Sequence, residues 1–269
     1  STHCISSAAS DVYKRQVLNF GKGKNGWMQV FTVMVEGNFL RLRKTIEYLK
    51  KFERVLLLTC SNRGVEVIKT QTPKSSILAQ IINKKVENSV LIDVTQLKIY
   101  PCEGNVSRME GNVCGIIEAQ LKDEEKNPTG YHRCWASIHN PDDELWKITK
   151  ELFESDAVVF FGSVRWGQAN AFYQKLIERL SWIENRHTTL GEDNVVKDID
   201  AGFICTGQNW NGQDVVGIQK QVHAFFGFKT PSELYWNWQF TKDETDESQR
   251  SYKASYAAFD KDFNIEDSL

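Results

Sequence analysis

At 269 residues, with 41% apolar residues, 25% charged residues and a formal net charge of −2, the chain has the composition of an ordinary globular protein with length for a sizeable core. The near-neutral balance argues against a nucleic-acid or membrane surface, and no apolar run approaches the ~20 residues of a membrane span. Six cysteines scattered along the chain make no disulfide framework, and a reducing, cytoplasmic setting is expected.

Residues 1–16 lack the hydrophobic core of a secretory signal. They read like a translated sequencing-adapter segment or a disordered tail, with Met28 or Met34 as alternative starts. Gly37 to Phe52 reads as a helix, with Phe39, Leu40, Leu42, Ile46 and Leu49 on overlapping faces. Arg54 to Thr59 follows as a short apolar run typical of a buried parallel strand. Ser75 to Lys85 has helical spacing, and Val90 to Val94 reads as a second strand. The segment Cys102 to Asn140 is polar, glycine-containing and too long for an ordinary connector. We expect it to be an insertion that packs on a second subunit or covers a site. Pro141 to Glu154 reads as a helix, Ala157 to Phe161 as a buried strand, and the residues from Asn170 as another helix. Ala201 to Thr206, Val215 to Phe226 and Leu234 to Trp238 supply a strand, a helix and a last strand. The remainder, 241–269, is an acidic tail. Strands alternating with helices of about a dozen residues predict βαβ units and a three-layer α/β sandwich on a five-stranded parallel sheet.

Three loops follow three strands and would open on one edge of that sheet, where open α/β folds bind ligands. The first runs from Cys60-Ser61-Asn62-Arg63 to Pro73-Lys74-Ser75-Ser76 and enters a helix. Hydroxyls, free amides and a lysine at a helix N-terminus suit a phosphate, although Ser75 or Ser76 would equally serve as an N-cap. The glycine-lysine spacing of a Walker loop is absent. The second loop, Gly162-Ser163-Val164-Arg165-Trp166-Gly167, joins strand to helix. Its amides and indole suit a flat, polar-edged heteroaromatic ring such as a flavin. The plainer alternative packs Trp166 on a neighbouring helix and pairs Arg165 with a surface carboxylate. The third, Thr206-Gly207-Gln208-Asn209-Trp210-Asn211-Gly212, is rich in amide side chains, which turns alone would also favour.

The pattern from about Arg54 to Trp238, above all Glu154 to Gly167, resembles the flavodoxin-like NAD(P)H-dependent FMN reductase family, in its multimeric flavodoxin and iron-sulfur flavoprotein branch. That resemblance implies an FMN phosphate at Ser61, Arg63, Ser75 and Ser76. It implies a ring against Ser163, Val164, Arg165, Trp166 and Gly167, closed over by Gly207, Gln208 and Asn209. It makes 54–240 the FMN-binding domain, with 17–53 as an N-terminal helical extension and 102–140 as the insertion. Two departures stand out: the first loop is longer than the family's phosphate turn, and the cysteine cluster is altered. Pro101-Cys102 is in place, but Asn105 and Ser107 stand where further thiols would be wanted, and Cys114 and Cys134 are far apart in sequence. A four-iron cluster needs four converging thiolates, so no metal is expected.

The function implied is hydride acceptance from NAD(P)H and delivery of electrons to a small acceptor such as a quinone. In such chemistry the protein supplies position and electrostatics, and Arg165 and Trp166 are the residues expected beside the ring. No histidine has an evident catalytic partner in the sequence. An electron-carrier flavoprotein acting with a protein partner is the second reading, and a flavin-free scaffold the third. A homodimer or homotetramer is expected, and Tyr235, Trp236, Trp238 and Phe240 would cover a ring or form a dimer surface.

Overall fold

In a computed structural model, residues 26–63, 72–207, 210–239, 248–251, 253, 254 and 259 are described. Helix α1 (Gly26–Leu49) leads into strand β1 (Val55–Thr59), helix α2 (Lys74–Lys85) and strand β2 (Ser89–Asp93). After the insertion, which carries the short helix α3 (Trp135–His139), come α4 (Leu145–Leu152) and β3 (Ala157–Arg165). A two-residue strand β4 (Gln168–Ala169), α5 (Ala171–Thr188), β5 (Asp200–Thr206), α6 (Gly212–Phe225) and β6 (Tyr235–Trp238) complete the order.

Five strands run parallel in the order β2-β1-β3-β5-β6. All five residues of β1 and all seven of β5 are buried, as expected of central strands covered on both faces. Alternation along them divides the core in two. Leu56, Leu58, Val158, Phe160 and Phe203 face Leu145, Ile148, Tyr173, Leu176 and Val215 of α4, α5 and α6. Val55, Leu57, Val159, Phe161 and Ile204 face Leu42, Ile46 and Leu49 of α1 and Leu78 and Ile82 of α2. The three layers follow from this period of two on the strands and of 3.6 on the helices.

Several expectations need correction. The five expected parallel strands are present, and a short antiparallel one is added to them, because β3 runs four residues beyond Phe161 and folds back through β4 as a hairpin. Helix α1 passes through Gly37, which was expected to begin it. A Cβ there would meet nothing within 4 Å, and a helical glycine costs only roughly 0.5–1 kcal/mol against alanine. The helix ends at Leu49, and the turn to β1 is fixed by Asp156, whose Oδ2 accepts from the Glu53 and Arg54 amides at 2.9 Å each. Residues 1–16, Phe240 and most of the acidic tail lie outside the described residues. Trp236 and Trp238 are buried against α1 within the chain itself.

The insertion packs on its own domain. Buried Arg179 of α5 forms a two-pronged pair with Asp143 at 2.8 and 2.9 Å and donates to Tyr100 O and Ser137 Oγ. Asn185 donates to Cys114 O at 2.5 Å and Arg186 to Tyr131 O at 3.1 Å. His132 sits between Thr149 Oγ1 and Ser137 Oγ, and burial beside Arg179 pushes its pKa down to about 3. It is a neutral structural residue. The polar composition of this segment thus serves internal hydrogen bonds as well as solvent. Among the described residues, no helix is long and apolar enough to cross a membrane.

Candidate active site at the sheet edge

The chain adds β2 on one side of β1 and β3 on the other, so the direction of sheet growth reverses between β1 and β3. The carboxyl ends of two such strands leave a crevice between their outgoing loops, and in the 2-1-3-4-5 order this is the ligand site. Here the crevice is bridged by Asn170, which is 3% exposed. Its Oδ1 accepts from the Ser163 amide at 2.9 Å and its Nδ2 donates to Cys60 O at 2.6 Å. One amide side chain therefore holds the end of β3 against the end of β1. As the residue before α5, Asn170 has the sequence signature of an N-cap, yet its side chain caps nothing in that helix. That ambiguity hid it from sequence reading.

Ser163 was expected to offer its amide to a ring. That amide is committed to Asn170, and what remains is its hydroxyl, buried and without any hydrogen-bond partner. An unsatisfied buried hydroxyl costs about 1–3 kcal/mol, and this one lies at the switch point.

The second loop is a tight hairpin rather than an open strand-to-helix connection. Arg165 pairs with Gln168, leaving Trp166 and Gly167 at φ 52° and 68°. Positive φ at both central positions is the mark of a type I′ turn, whose twist matches the flanking strands. Glycine suits it; tryptophan does not. The Trp166 indole is 93% exposed, so it packs on no neighbouring helix and is not held against the sheet. A bulky residue is strained in the left-handed region, and this one is left in solvent. Among the described residues Arg165 makes no ion pair: its Nη2 donates to Asn62 O at 3.0 Å, joining the hairpin to the first loop.

The third loop closes on the hairpin from the other side. Asn211, itself at φ 61°, donates from Nδ2 to Gly167 O at 2.8 Å. A Cβ on Gly167 would lie 3.3 Å from the Trp210 ring, and one on Gly207 would lie 3.0 Å from both Val164 N and Val164 Cβ. The expected residues Gly207, Ser163 and Val164 are thus brought together, whereas Gln208 and Asn209 lie outside the described residues. Asn211 and Trp210 were missed as contacts because Asn-rich turns look alike in sequence.

In the first loop, Ser75 Oγ donates to Ser61 Oγ at 2.8 Å, tying the start of α2 to the end of β1. Ser61, Ser75 and Ser76 are all buried. Proline at the N-cap offers no side-chain cap, so neither serine is the cap itself. The amides of Ser75 and Ser76 sit in the first turn, where helical amides have no intrahelical acceptor and favour an anion. Arg63 is half-buried, and the connecting residues 64–71 lie outside the described set.

Cys60, which follows β1, and Cys205 in β5 are free and buried. Burial pushes the Cys60 and Cys205 thiols far up, keeping both protonated. Cys102, Cys114 and Cys134, distant in sequence, share one neighbourhood in the insertion, and burial with the other two thiols pushes Cys114 up to about 12. Among the described residues no group of three or more His, Cys, Asp or Glu is arranged to hold a metal ion. His139 pairs with Glu103 at 2.9 Å, and His223 lies buried between the Tyr173 and Tyr235 hydroxyls at 3.0 and 2.9 Å. These partners, invisible in the sequence, are structural.

No family model matches the chain, and no curated protein matches it. Among solved structures, it is similar to RosB with a bound 8-demethyl-8-formylriboflavin-5'-phosphate intermediate, at 12% identity, covering 77% of this chain and 75% of that one with a TM-score of 0.48. It is also similar to azoreductase AzrA, at 14% identity, 80% and 100% coverage and a TM-score of 0.46. The azoreductase of Bacillus anthracis str. Sterne gives 14% identity, 80% and 99% coverage and a TM-score of 0.44. By its own strand order, this chain has a doubly wound, flavodoxin-like α/β fold.

Proposed function

We propose that the protein is an FMN-dependent NAD(P)H oxidoreductase that passes electrons to a small acceptor such as a quinone. The observation that carries this is the unpartnered, buried Ser163 hydroxyl at the β1/β3 switch point, ringed by three loops that hydrogen bonds hold together. The donor set fits FMN in kind: first-turn amides of α2 for a phosphate, and the Ser163 hydroxyl with Val164, Arg165 and Gly207 for the polar edge of a ring. When bound, the flavin supplies hydride acceptance from nicotinamide and electron transfer to the acceptor.

The chain's own part is placement and charge. Asn170 sets the spacing of the two strand ends. The Arg165 guanidinium stays charged at any usable pH and, on the hairpin beside Asn62, adds positive potential where negative charge develops on reduction. Trp166 presents an aromatic surface in solvent, suited to border a planar acceptor or nicotinamide. No side-chain acid or base is required, in keeping with the buried, protonated Cys60 and Cys205 thiols and the buried, neutral His132 and His223.

The test is reconstitution of the purified chain with FMN, followed by NADPH oxidation with and without a quinone. Saturable flavin binding with quinone-dependent NADPH consumption supports the reading. Binding without turnover would make it a carrier, and no flavin binding in the micromolar range would end it.

A further inference from the structure

A second cavity, of about 790 Å³, lies along the open edge of the sheet beside β6, between α1 and α6. Its walls carry Arg41 and Lys44 from α1, Lys51 from the turn that follows it, and Lys220 from α6. None of these four cations makes an ion pair among the described residues. Two of them sit over tyrosine rings that also line the cavity: Lys51 Nζ is 4.8 Å from the Tyr48 centroid and Lys220 Nζ 5.6 Å from that of Tyr235. Glu47 and Glu233 line it too. The four cations outnumber these carboxylates by two, in a chain whose formal net charge is −2. The two tyrosines are anchored from beneath, Tyr48 by Asp200 at 2.6 Å and Tyr235 by His223 at 2.9 Å. The floor is held by α1, whose Asn38 exchanges two hydrogen bonds with the Gln239 backbone and whose Thr45 donates to Glu233 O.

We infer that this trough is a binding site for a linear polyphosphate, either free or as part of a nucleoside polyphosphate. The spacing selects an extended anion over a compact one. Positions 41, 44 and 48 share one face of α1 over about 10 Å, and Lys51 lies in the turn just beyond it, so these charges are strung along one wall with Lys220 on the opposite one. The volume lies within the ~300–1,000 Å³ of small-molecule sites. The site is separate from the crevice at β1 and β3, and its test is independent of the flavin reading. The competing account is that lysines along an edge strand simply deter pairing with another sheet.

Isothermal titration of the full chain with inorganic tripolyphosphate, and separately with ATP, decides between them. One-to-one binding of tripolyphosphate that weakens with salt is expected. Equal affinity for ATP assigns a bare phosphate chain, and tighter ATP binding assigns the tyrosine rings to a base. Lys44→Glu with Lys220→Glu should weaken binding roughly tenfold or more, with Lys44→Gln and Lys220→Gln as a milder pair should the first misfold. Lys122→Glu with Lys197→Glu, the same charge change made elsewhere on the surface, should leave it unaltered. Absence of saturable binding, or equal loss in both charge-reversed pairs, overturns the site; increased self-association of the Lys44/Lys220 variants without any polyphosphate binding would establish edge protection instead.

Discussion

Asn170→Ala is the perturbation that bears most directly on the crevice. It removes an acceptor 2.9 Å from the Ser163 amide and a donor 2.6 Å from Cys60 O, at a residue 3% exposed. Each buried backbone group left unpaired costs about 1–3 kcal/mol. With partial relaxation, the loss of stability should be about 2–4 kcal/mol. In urea unfolding this appears as a lower midpoint at unchanged slope. Asn170→Asp separates the two bonds. It keeps the acceptor for Ser163 but sets a carboxylate against the Cys60 carbonyl, so burial and that carbonyl raise its pKa in the folded state. A carboxyl with a raised folded pKa destabilises above its unfolded value of about 3.9, and the penalty is relieved as pH falls through the folded value. The gap between Asn170→Asp and the parent should therefore narrow from neutral to mildly acidic pH, while that of Asn170→Ala stays constant. An Asn170→Ala midpoint within about 0.5 kcal/mol of the parent would refute the clamp.

Arg179→Met should cost about 3–5 kcal/mol, read as a thermal shift, because it strands the fully buried Asp143 carboxylate. His223 is held neutral, with burial pushing its pKa down to about 3. Unfolded histidine takes a proton below about pH 6.5, so stability is lost as pH falls from there towards 3, by up to about 1.4 kcal/mol per pH unit; His223→Gln should flatten the acid limb by that slope, and an unaltered slope would show that His223 is protonated in the fold. Trp166→Asn should stabilise the protein by about 1 kcal/mol in chemical denaturation, since asparagine tolerates the left-handed turn, and on the flavin reading should slow turnover. Arg165→Ala should raise the FMN dissociation constant about two- to twelvefold through loss of one hydrogen bond, and equal affinity would detach this arginine from the site.

The parallel sheet was legible because its strands are short apolar runs and the intervening helices carry a 3.6-residue period, signals that buried central strands make strong. The element boundaries and the loops behaved differently. Gly162 to Gly167 reads as a connector, since a tryptophan at a central I′ position has no propensity to announce it. Asn170 reads as a helix cap because the same residue type serves both purposes. The insertion's anchors, Arg179, Asn185 and Arg186, sit on α5 at helical positions that look solvent-facing by polarity alone; the three-dimensional return of the Cys102 to Asn140 segment and of the residues flanking it buries them. The β6 trough was equally out of reach, because its two walls are separated by most of the chain.

The three site loops are linked in series, and the links differ in kind. Asn170 joins β1 to β3 by two bonds from one buried side chain. Arg165 joins the first loop to the hairpin and Asn211 joins the hairpin to the third loop, each by a single bond nearer the surface. Buried, doubly bonded contacts are costly to open, whereas exposed single bonds contribute little and exchange with water. The strand ends therefore form the rigid half of the crevice and the Trp166 turn its adjustable half. On the proposed function, this division suits a site in which one ligand stays while others come and go. The resident group needs fixed spacing between its donors, which Asn170 provides next to the open Ser163 hydroxyl. On the proposed reading, exchanging partners need a surface that yields, and among the described residues the strained, exposed hairpin tip is an element that can move without unpairing the parallel sheet.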